Sequence, residues 1–299
     1  HIGHRVTLYG RAASPRMQAF LTTRQNDLLT LPESVALSTA LDAALESAET
    51  VIISIGSQSL RSLLGQSELQ ALRSRTVVLC MKGLEMGTGA RLSQIAAELL
   101  HPSNTVAVWL GPGHVQEFYR GIPNCMVIDS ADAALQGELI RAFSSELIRF
   151  YYGGDLTGNE VGAAAKNVIG IAAGLLDGCE LTSLKGALMA RGTREISRLI
   201  EAMGGDPRSA YGLAHLGDYE ATVFSPHSHN RAFGEALARG ESYTQLAEGA
   251  ATAQALCRLS DRLNVELPIC RAVCAVIYDH ADPRQAIFTL FDRALKREI

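Results

Sequence analysis

A doubly wound parallel α/β sheet followed by an all-helical half is the architecture this sequence predicts, on three observations. Short β-branched apolar runs recur in the first half: Arg5 to Tyr9, TVIISI at 50–55, TVVLC at 76–80, TVAVWL at 105–110 and CMVID at 125–129. Amphipathic stretches such as SVALSTALDAALESAE and RLSQIAAELL lie between them and read as helices. After about residue 152 the strand signal stops and the pattern stays helical to the end. Strand alternating with helix means a parallel sheet covered on both faces. The boundary falls near Gly153-Gly154, which divides the chain into domains 1–153 and 154–299.

The composition sets the outer limits. With 299 residues, 47% hydrophobic and 19% charged, the chain is long enough for two domains with a core each. A net charge of -4 with no basic cluster gives no reason to expect nucleic acid. No apolar run reaches the length of a membrane span and no signal-peptide pattern opens the chain, so a cytoplasmic protein is expected. Six cysteines, at 80, 125, 179, 257, 270 and 274, form no CxxC pair and have no zinc-like histidine spacing. Buried core thiols are the expectation. Cys270 and Cys274, four apart on one helix face, are the place for a weak metal or redox site. No metal site is expected from the eight histidines.

A doubly wound sheet binds its ligands at the carboxyl ends of its strands. Here those ends read Tyr9-Gly10-Arg11, Gly56-Ser57-Gln58, Lys82-Gly83 and Gly111-Pro112-Gly113-His114, which are mostly small, polar or cationic. The helical half opens with GNEVGAAAKNVIGIAAGLLDG, a helix of small and apolar residues interrupted by Lys166. Small neighbours let other backbones approach closely, so the ammonium is expected in a desolvated space that lowers its pKa toward the range of proton transfer. The alternative is a surface lysine snorkelling beside Glu160. Further on, GLAHLGDYEATVFSPHSHNRAFGEAL places a polar loop before a helix start that carries Ser228, His229 and Asn230. Such a start is either an anion site or an ordinary N-cap. Breakers at Gly204-Gly205-Asp206-Pro207, Gly240, Leu267-Pro268 and Asp282-Pro283 divide the remaining helices.

A sheet that binds a dinucleotide normally opens with a strand, a G-x-G-x-x-G turn and a helix. The sequence contains no G-x-G-x-x-G. GHRVTLYGR reads as the second strand of such a fold, so a first strand and its glycine turn are expected ahead of residue 1, or lost. Without them the sheet has an open edge beside Arg5 to Tyr9 and dinucleotide binding is expected to be weak.

At Lys82-Gly83, VGAAAKNVIGIAAGLLDG, ALMARGTREISRL and LGDYEATVFSPHSHNRAFGEALARG the chain resembles the NAD(P)-dependent glycerol-3-phosphate dehydrogenases of the bacterial soluble type. The closing AEGAATAQALCRLSDRLNVELPICRAVCAVIYDHADP is similar to that family's C-terminal helices. The resemblance implies a Rossmann-like nucleotide domain, a helical substrate domain, and interconversion of glycerol 3-phosphate and dihydroxyacetone phosphate for phospholipid synthesis. By the same resemblance Lys166 is the proton acceptor in oxidation, Lys82 stands beside the reacting oxygen, and Asp218 orients Lys166. Asn167, Thr222, Ser228, His229 and Asn230 join Lys82 and Asp218 around the substrate. Arg11, Lys82, Gly111, Val115, His229 and Glu248 face NAD or NADP, with Arg11 suited to a 2′-phosphate. A homodimer built through the helical half is the expected assembly.

Three departures from the family pattern stand out. His229-Asn230-Arg231 replaces Arg-Asn-Arg, Gly111-Pro112-Gly113-His114-Val115 replaces Gly-Pro-Ser-Phe-Ala, and Ile55-Gly56-Ser57 replaces Val-Pro-Ser. Histidine offers phosphate one donor where arginine offers a charged planar fork, so substrate affinity is expected to fall as pH rises through the His229 pKa unless Arg231 or another cation turns inward. These departures leave two other readings: a related dehydrogenase with an altered anion site, and a non-catalytic paralogue that has lost its cofactor. The two retained lysines argue against the second, because desolvated cations without a task only cost stability.

Overall fold

The computed structural model describes residues 2–46, 48–113 and 115–292. In the first half strands and helices alternate: β1 (Val6–Tyr9), α1 (Pro15–Thr23), β2 (Val35–Ser38), α2 (Leu41–Glu46), β3 (Thr50–Ile53), α3 (Leu60–Leu64), α4 (Ser67–Gln70), β4 (Thr76–Leu79), α5 (Leu92–Leu99), β5 (Thr105–Leu110), α6 (Val115–Tyr119), β6 (Asn124–Ser130), α7 (Ala133–Phe143) and β7 (Ile148–Tyr152). The second half is helical: α8 (Leu156–Gly178), α9 (Lys185–Ala202), α10 (His229–Arg239), α11 (Glu248–Leu263), α12 (Pro268–Tyr278) and α13 (Pro283–Phe288). Proline opens α1, α12 and α13, where its missing N–H costs nothing.

The strands form two sheets. Five of them lie in the order β3-β4-β5-β6-β7, while β1 and β2 pair in parallel as a separate ribbon. Among the described residues β1 pairs with β2 along one edge. The ribbon is tied to the main body through α2 and through His4, whose Nε2 lies 2.7 Å from the Ala142 carbonyl and whose ring lies 5.2 Å from Phe143.

Three elements differ from the sequence expectation. SVALSTALDAALESAE is not one helix: Val35–Ser38 pairs with β1 in the register Val6↔Val35 to Tyr9↔Ser38, and α2 begins only at Leu41. Pairing with a neighbouring strand overrides a weak local helical pattern. β7 is a strand with no counterpart in the expectation; its aromatic run IRFYY sits at the sheet edge. The sheet is otherwise parallel, but β6 runs antiparallel to β5, and β7 follows β6. The connection from β5 to β6 contains only the five-residue α6.

α8 organises the second half. Its residues are buried without a break from Gly158 to Leu176, and α9, α10, α11 and α12 pack around it. Alanine and glycine make that crowding possible. A Cβ on Gly174 would lie 1.9 Å from the Arg231 carbonyl oxygen, and one on Gly234 would lie 2.1 Å from that of Ile171. Interior glycine costs a helix about 1 kcal/mol. Here the backbones of α8 and α10 touch in return. The first half of α8 packs on β5 and β6, and Ala163 joins the apolar cluster beneath the sheet. Lys166 is thereby carried to the carboxyl ends of the strands.

Candidate active site

Two lysines from different halves of the chain converge on one buried carboxylate. Lys82, just past β4, donates from Nζ to Asp218 Oδ2 at 2.6 Å, and Lys166, from the middle of α8, places its Nζ 3.1 Å from the same oxygen. Asp218 is 1% exposed. Lys82 also donates to the Gly111 carbonyl at the end of β5, at 2.7 Å. The Gly111 backbone lies at φ +114, which gives glycine its advantage there. Lys166 donates to Thr222 Oγ1 at 2.7 Å, and that hydroxyl donates to the Asp218 carbonyl at 2.8 Å. Thr222 sits in a widened π-helical turn, Glu220–Phe224, a distortion that recurs at functional sites.

Burial pushes the Lys166 ammonium down to about 8, helped by the charge of Lys82 and opposed by Asp218. The expected desolvated lysine is what the structure contains. Glu160 does not solvate it: that carboxylate is itself buried and paired with Arg91 and Ser93. Two cations on one carboxylate leave the cluster with a net positive charge while Lys166 holds its proton, which suits an anionic substrate.

A relay of amides borders the lysines. Asn167 Nδ2 donates to the Lys82 carbonyl at 2.9 Å, Asn230 Nδ2 donates to Asn167 Oδ1 at 3.1 Å, and the Gly249 N–H donates to Asn230 Oδ1 at 2.9 Å. α8, α10 and α11 are thus keyed to β4. Ser228 caps α10, its hydroxyl accepting from the Arg231 N–H at 3.3 Å. His229 Nδ1 meets the Tyr243 hydroxyl at 2.9 Å. Arg231 is not turned toward the lysines; its guanidinium is held by Asp177, Glu235 and the Ser225 carbonyl.

The other expected residues are placed less uniformly. The Glu248 carboxylate, at the start of α11, accepts from the Ser57 N–H at 3.1 Å and from the Ser57 hydroxyl. It therefore joins the helical half to the turn after β3. Arg11 is exposed at the turn after β1, and Val115 is half exposed at the start of α6.

Tyr243 and His215 are site-supporting residues without a role in the sequence reading, and Ser57, read there only as part of a strand-end turn, gains a partner in Glu248. His215 is fully buried, with Nδ1 2.8 Å from the Gly162 carbonyl and Nε2 2.7 Å from the Tyr219 hydroxyl. Burial holds its pKa down to about 4, so a neutral imidazole with its proton on Nδ1 braces α8 one turn before Lys166. The i, i+4 spacing of His215 and Tyr219 was a readable signal of a paired polar contact. The partners of Ser57 and His229 lie far along the chain and left no local trace.

Residues 1–136 match the family described as NAD-dependent glycerol-3-phosphate dehydrogenase N-terminus, and residues 155–288 match its C-terminus. A glycerol-3-phosphate dehydrogenase (NAD(P)+) of Aromatoleum aromaticum is 35% identical over 99% of this chain and 93% of its own length. A protein of the same name from Halorhodospira halophila is 36% identical over 99% and 92%. The crystal structure of a glycerol-3-phosphate dehydrogenase from Coxiella burnetii superposes with a TM-score of 0.90 at 26% identity, covering 97% of this chain and 92% of that one.

Proposed function

The chain belongs to the NAD-dependent glycerol-3-phosphate dehydrogenase family, and from that premise we propose how its residues divide the work of an NAD(P)-dependent oxidation of glycerol 3-phosphate. The observation that carries the reading is the pair of lysines on Asp218 Oδ2, at 2.6 and 3.1 Å.

The residues at the strand ends fit the reacting half of a dinucleotide. Gly83 packs so closely on Ser57 that a Cβ there would lie 2.4 Å from its hydroxyl, and Gly111 brings bare backbone to the end of β5. Gly111, Val115, Lys82, His229 and Glu248 are the residues proposed to face the cofactor, and Arg11 offers the cation a 2′-phosphate needs. The bound dinucleotide supplies the hydride acceptor in oxidation and the hydride donor in reduction.

When the carbonyl of dihydroxyacetone phosphate is reduced, its oxygen gains negative charge. Lys82 stabilises that charge, and Lys166 gives the oxygen a proton. In the reverse direction neutral Lys166 takes the hydroxyl proton. Asp218 keeps both ammonium groups aimed at one point, and Thr222 fixes the rotamer of Lys166. Ser228, His229 and Asn230, at the first turn of α10, receive the substrate phosphate beside the N–H groups of the helix start. Asn167 ties that helix start to Lys82.

The test is NADPH and NADH oxidation with dihydroxyacetone phosphate. Lys166→Ala should lower kcat by roughly 10²- to 10⁴-fold, the ordinary worth of a positioned acid. Turnover equal to that of the unaltered protein would remove Lys166 from the mechanism. A cytoplasmic homodimer supplying phospholipid synthesis is the setting this reading implies. Sedimentation equilibrium showing only monomer would withdraw the dimer and leave the chemistry intact.

A further inference from the structure

Three cysteines meet where α11 and α12 pack against each other. The two helices form a hairpin joined by residues 264–267, and Cys257 on α11 and Cys274 on α12 are equally far from that turn. Their thiols interact directly, side chain to side chain. The Cys257 thiol also points at the Cys270 carbonyl, 3.8 Å away. Cys257 and Cys274 are partly exposed, whereas Cys270 is buried. Core thiols were expected at all six positions, but only Cys179 and Cys270 are buried.

A disulfide between Cys270 and Cys274, four apart on α12, does not fit helical geometry. Side chains at i and i+4 of one helix keep their Cβ atoms about 5–6 Å apart, beyond the roughly 3.5–4.5 Å a disulfide requires. Cys270 and Cys274 therefore cannot join while α12 stays helical. The partner of Cys274 is on the other helix.

We propose that Cys257 and Cys274 are a reversible redox pair in which a hydroperoxide oxidises Cys257 and Cys274 closes a disulfide between α11 and α12. The Cys257 thiol is held below its ordinary pKa, first by the hydrogen bond from Cys274 and then by the charge of Arg271, while the Cys274 thiol is pushed up by the same bond. The strongest charge acting on Cys257 is the Arg271 cation, which favours its thiolate, whereas the charges around Cys274 disfavour one; that difference assigns the roles, because the thiolate is the nucleophile. The Cys257 thiolate attacks one peroxide oxygen; an S–O bond forms, the O–O bond breaks and hydroxide leaves. Cys257 is now a sulfenic acid, oxidised by two electrons, and the peroxide is reduced. The Cys274 sulfur attacks that of Cys257, the S–S bond forms, the S–O bond breaks, and the Cys274 proton leaves with hydroxide as water. A dithiol restores both thiols by exchange.

The consequence reaches toward the lysines. The first turn of α11 carries Glu248, bonded to Ser57, and Gly249, bonded to Asn230. Tyr278 of α12 already donates to the Ala250 carbonyl at 2.9 Å. A covalent tie between the helices stiffens the support of both contacts.

The experiment treats the folded, full-length chain with hydrogen peroxide and maps tryptic peptides without reduction. Arg258, Arg262 and Arg271 place the three cysteines on separate peptides. The expected product joins the Cys257 and Cys274 peptides, is two hydrogens lighter than their sum, and disappears with dithiothreitol. Cys274→Ser should stop at a Cys257 sulfenic acid captured by dimedone, and Cys270→Ala should leave the cross-link unchanged. Cys257 left reduced while other thiols oxidise, Cys257 carried to the sulfinic acid with Cys274 intact, or a cross-link through Cys270 would each overturn the proposal. The peptide map of the unaltered protein decides the matter even if a variant folds poorly.

Discussion

At the scale of single residues, the role proposed for Lys166 ties its proton balance to the chemistry as well as to stability. Its pKa near 8 means that the neutral amine needed for oxidation accumulates as pH rises through about 8, while the ammonium needed for reduction is lost over the same interval. We expect kcat/KM for glycerol 3-phosphate oxidation to rise, and that for dihydroxyacetone phosphate reduction to fall, across that pH; parallel profiles in both directions check it. Asp218 is the group that opposes the downward shift. Asp218→Asn should therefore move the inflection below 8, besides slowing turnover. Stability follows with the sign of a depressed lysine. Below about 8 the group is charged in both folded and unfolded chains and the fold carries the full penalty of burying it. Between about 8 and 10.5 only the unfolded chain keeps the proton, so rising pH favours the fold. The stability advantage of Lys166→Met over the unaltered protein should shrink across that window in urea titrations. His229 offers a separate test: His229→Arg should lower the dihydroxyacetone phosphate KM roughly tenfold, the worth of one charged hydrogen bond, and an unchanged KM would remove this position from the phosphate site.

Between elements, the decisive contact is that of α8 with α10, where two backbones meet with no side chain between them. Gly174→Ala puts a Cβ 1.9 Å from the Arg231 carbonyl oxygen, which no rotamer can relieve. Overpacking of this kind costs roughly 1–3 kcal/mol or more. Because α10 carries His229 and Asn230, its displacement should also raise KM. Gly186, early in α9, is the internal control, since a Cβ there meets nothing within 4 Å. Gly186→Ala should be neutral or stabilising by up to about 1 kcal/mol. Equal midpoints for both variants in denaturant titrations would show that the α8–α10 approach is looser than described.

For the molecule as a whole, the division of the strands into two sheets sets a gradient of stability. β4 is buried, with hydrogen-bonded neighbours on both sides, whereas β1 is half exposed and, among the described residues, is paired to β2 alone. Local opening is easiest where buried apolar contacts are few and backbone bonds face water. Amide exchange should therefore be fast through Val6–Tyr9 and slow through Thr76–Leu79. Comparable protection in the two strands would mean that the ribbon is anchored more firmly than its contacts with α2 and Phe143 imply.

Some of this was written locally in the chain. The β-branched runs at β3, β4 and β5 read as strands because burial on both faces leaves a continuous apolar pattern. Lys166 was conspicuous because a cation amid alanine and glycine has no local reason to be there. The family motifs marked Lys82, Asp218 and Asn230 as belonging together. Other features depend on distant partners. Val35–Ser38 became a strand because β1 lies beside it, and the antiparallel direction of β6 shows only in its pairing with β5. The sharing of Asp218 Oδ2 by two lysines, the bracing of α8 by His215, the closing of Glu248 onto Ser57 and the meeting of Cys257 with Cys274 were decided only by tertiary structure. Periodicity records how a residue faces its own helix or strand; what stands opposite is chosen by packing between segments that the chain brings together only when it folds.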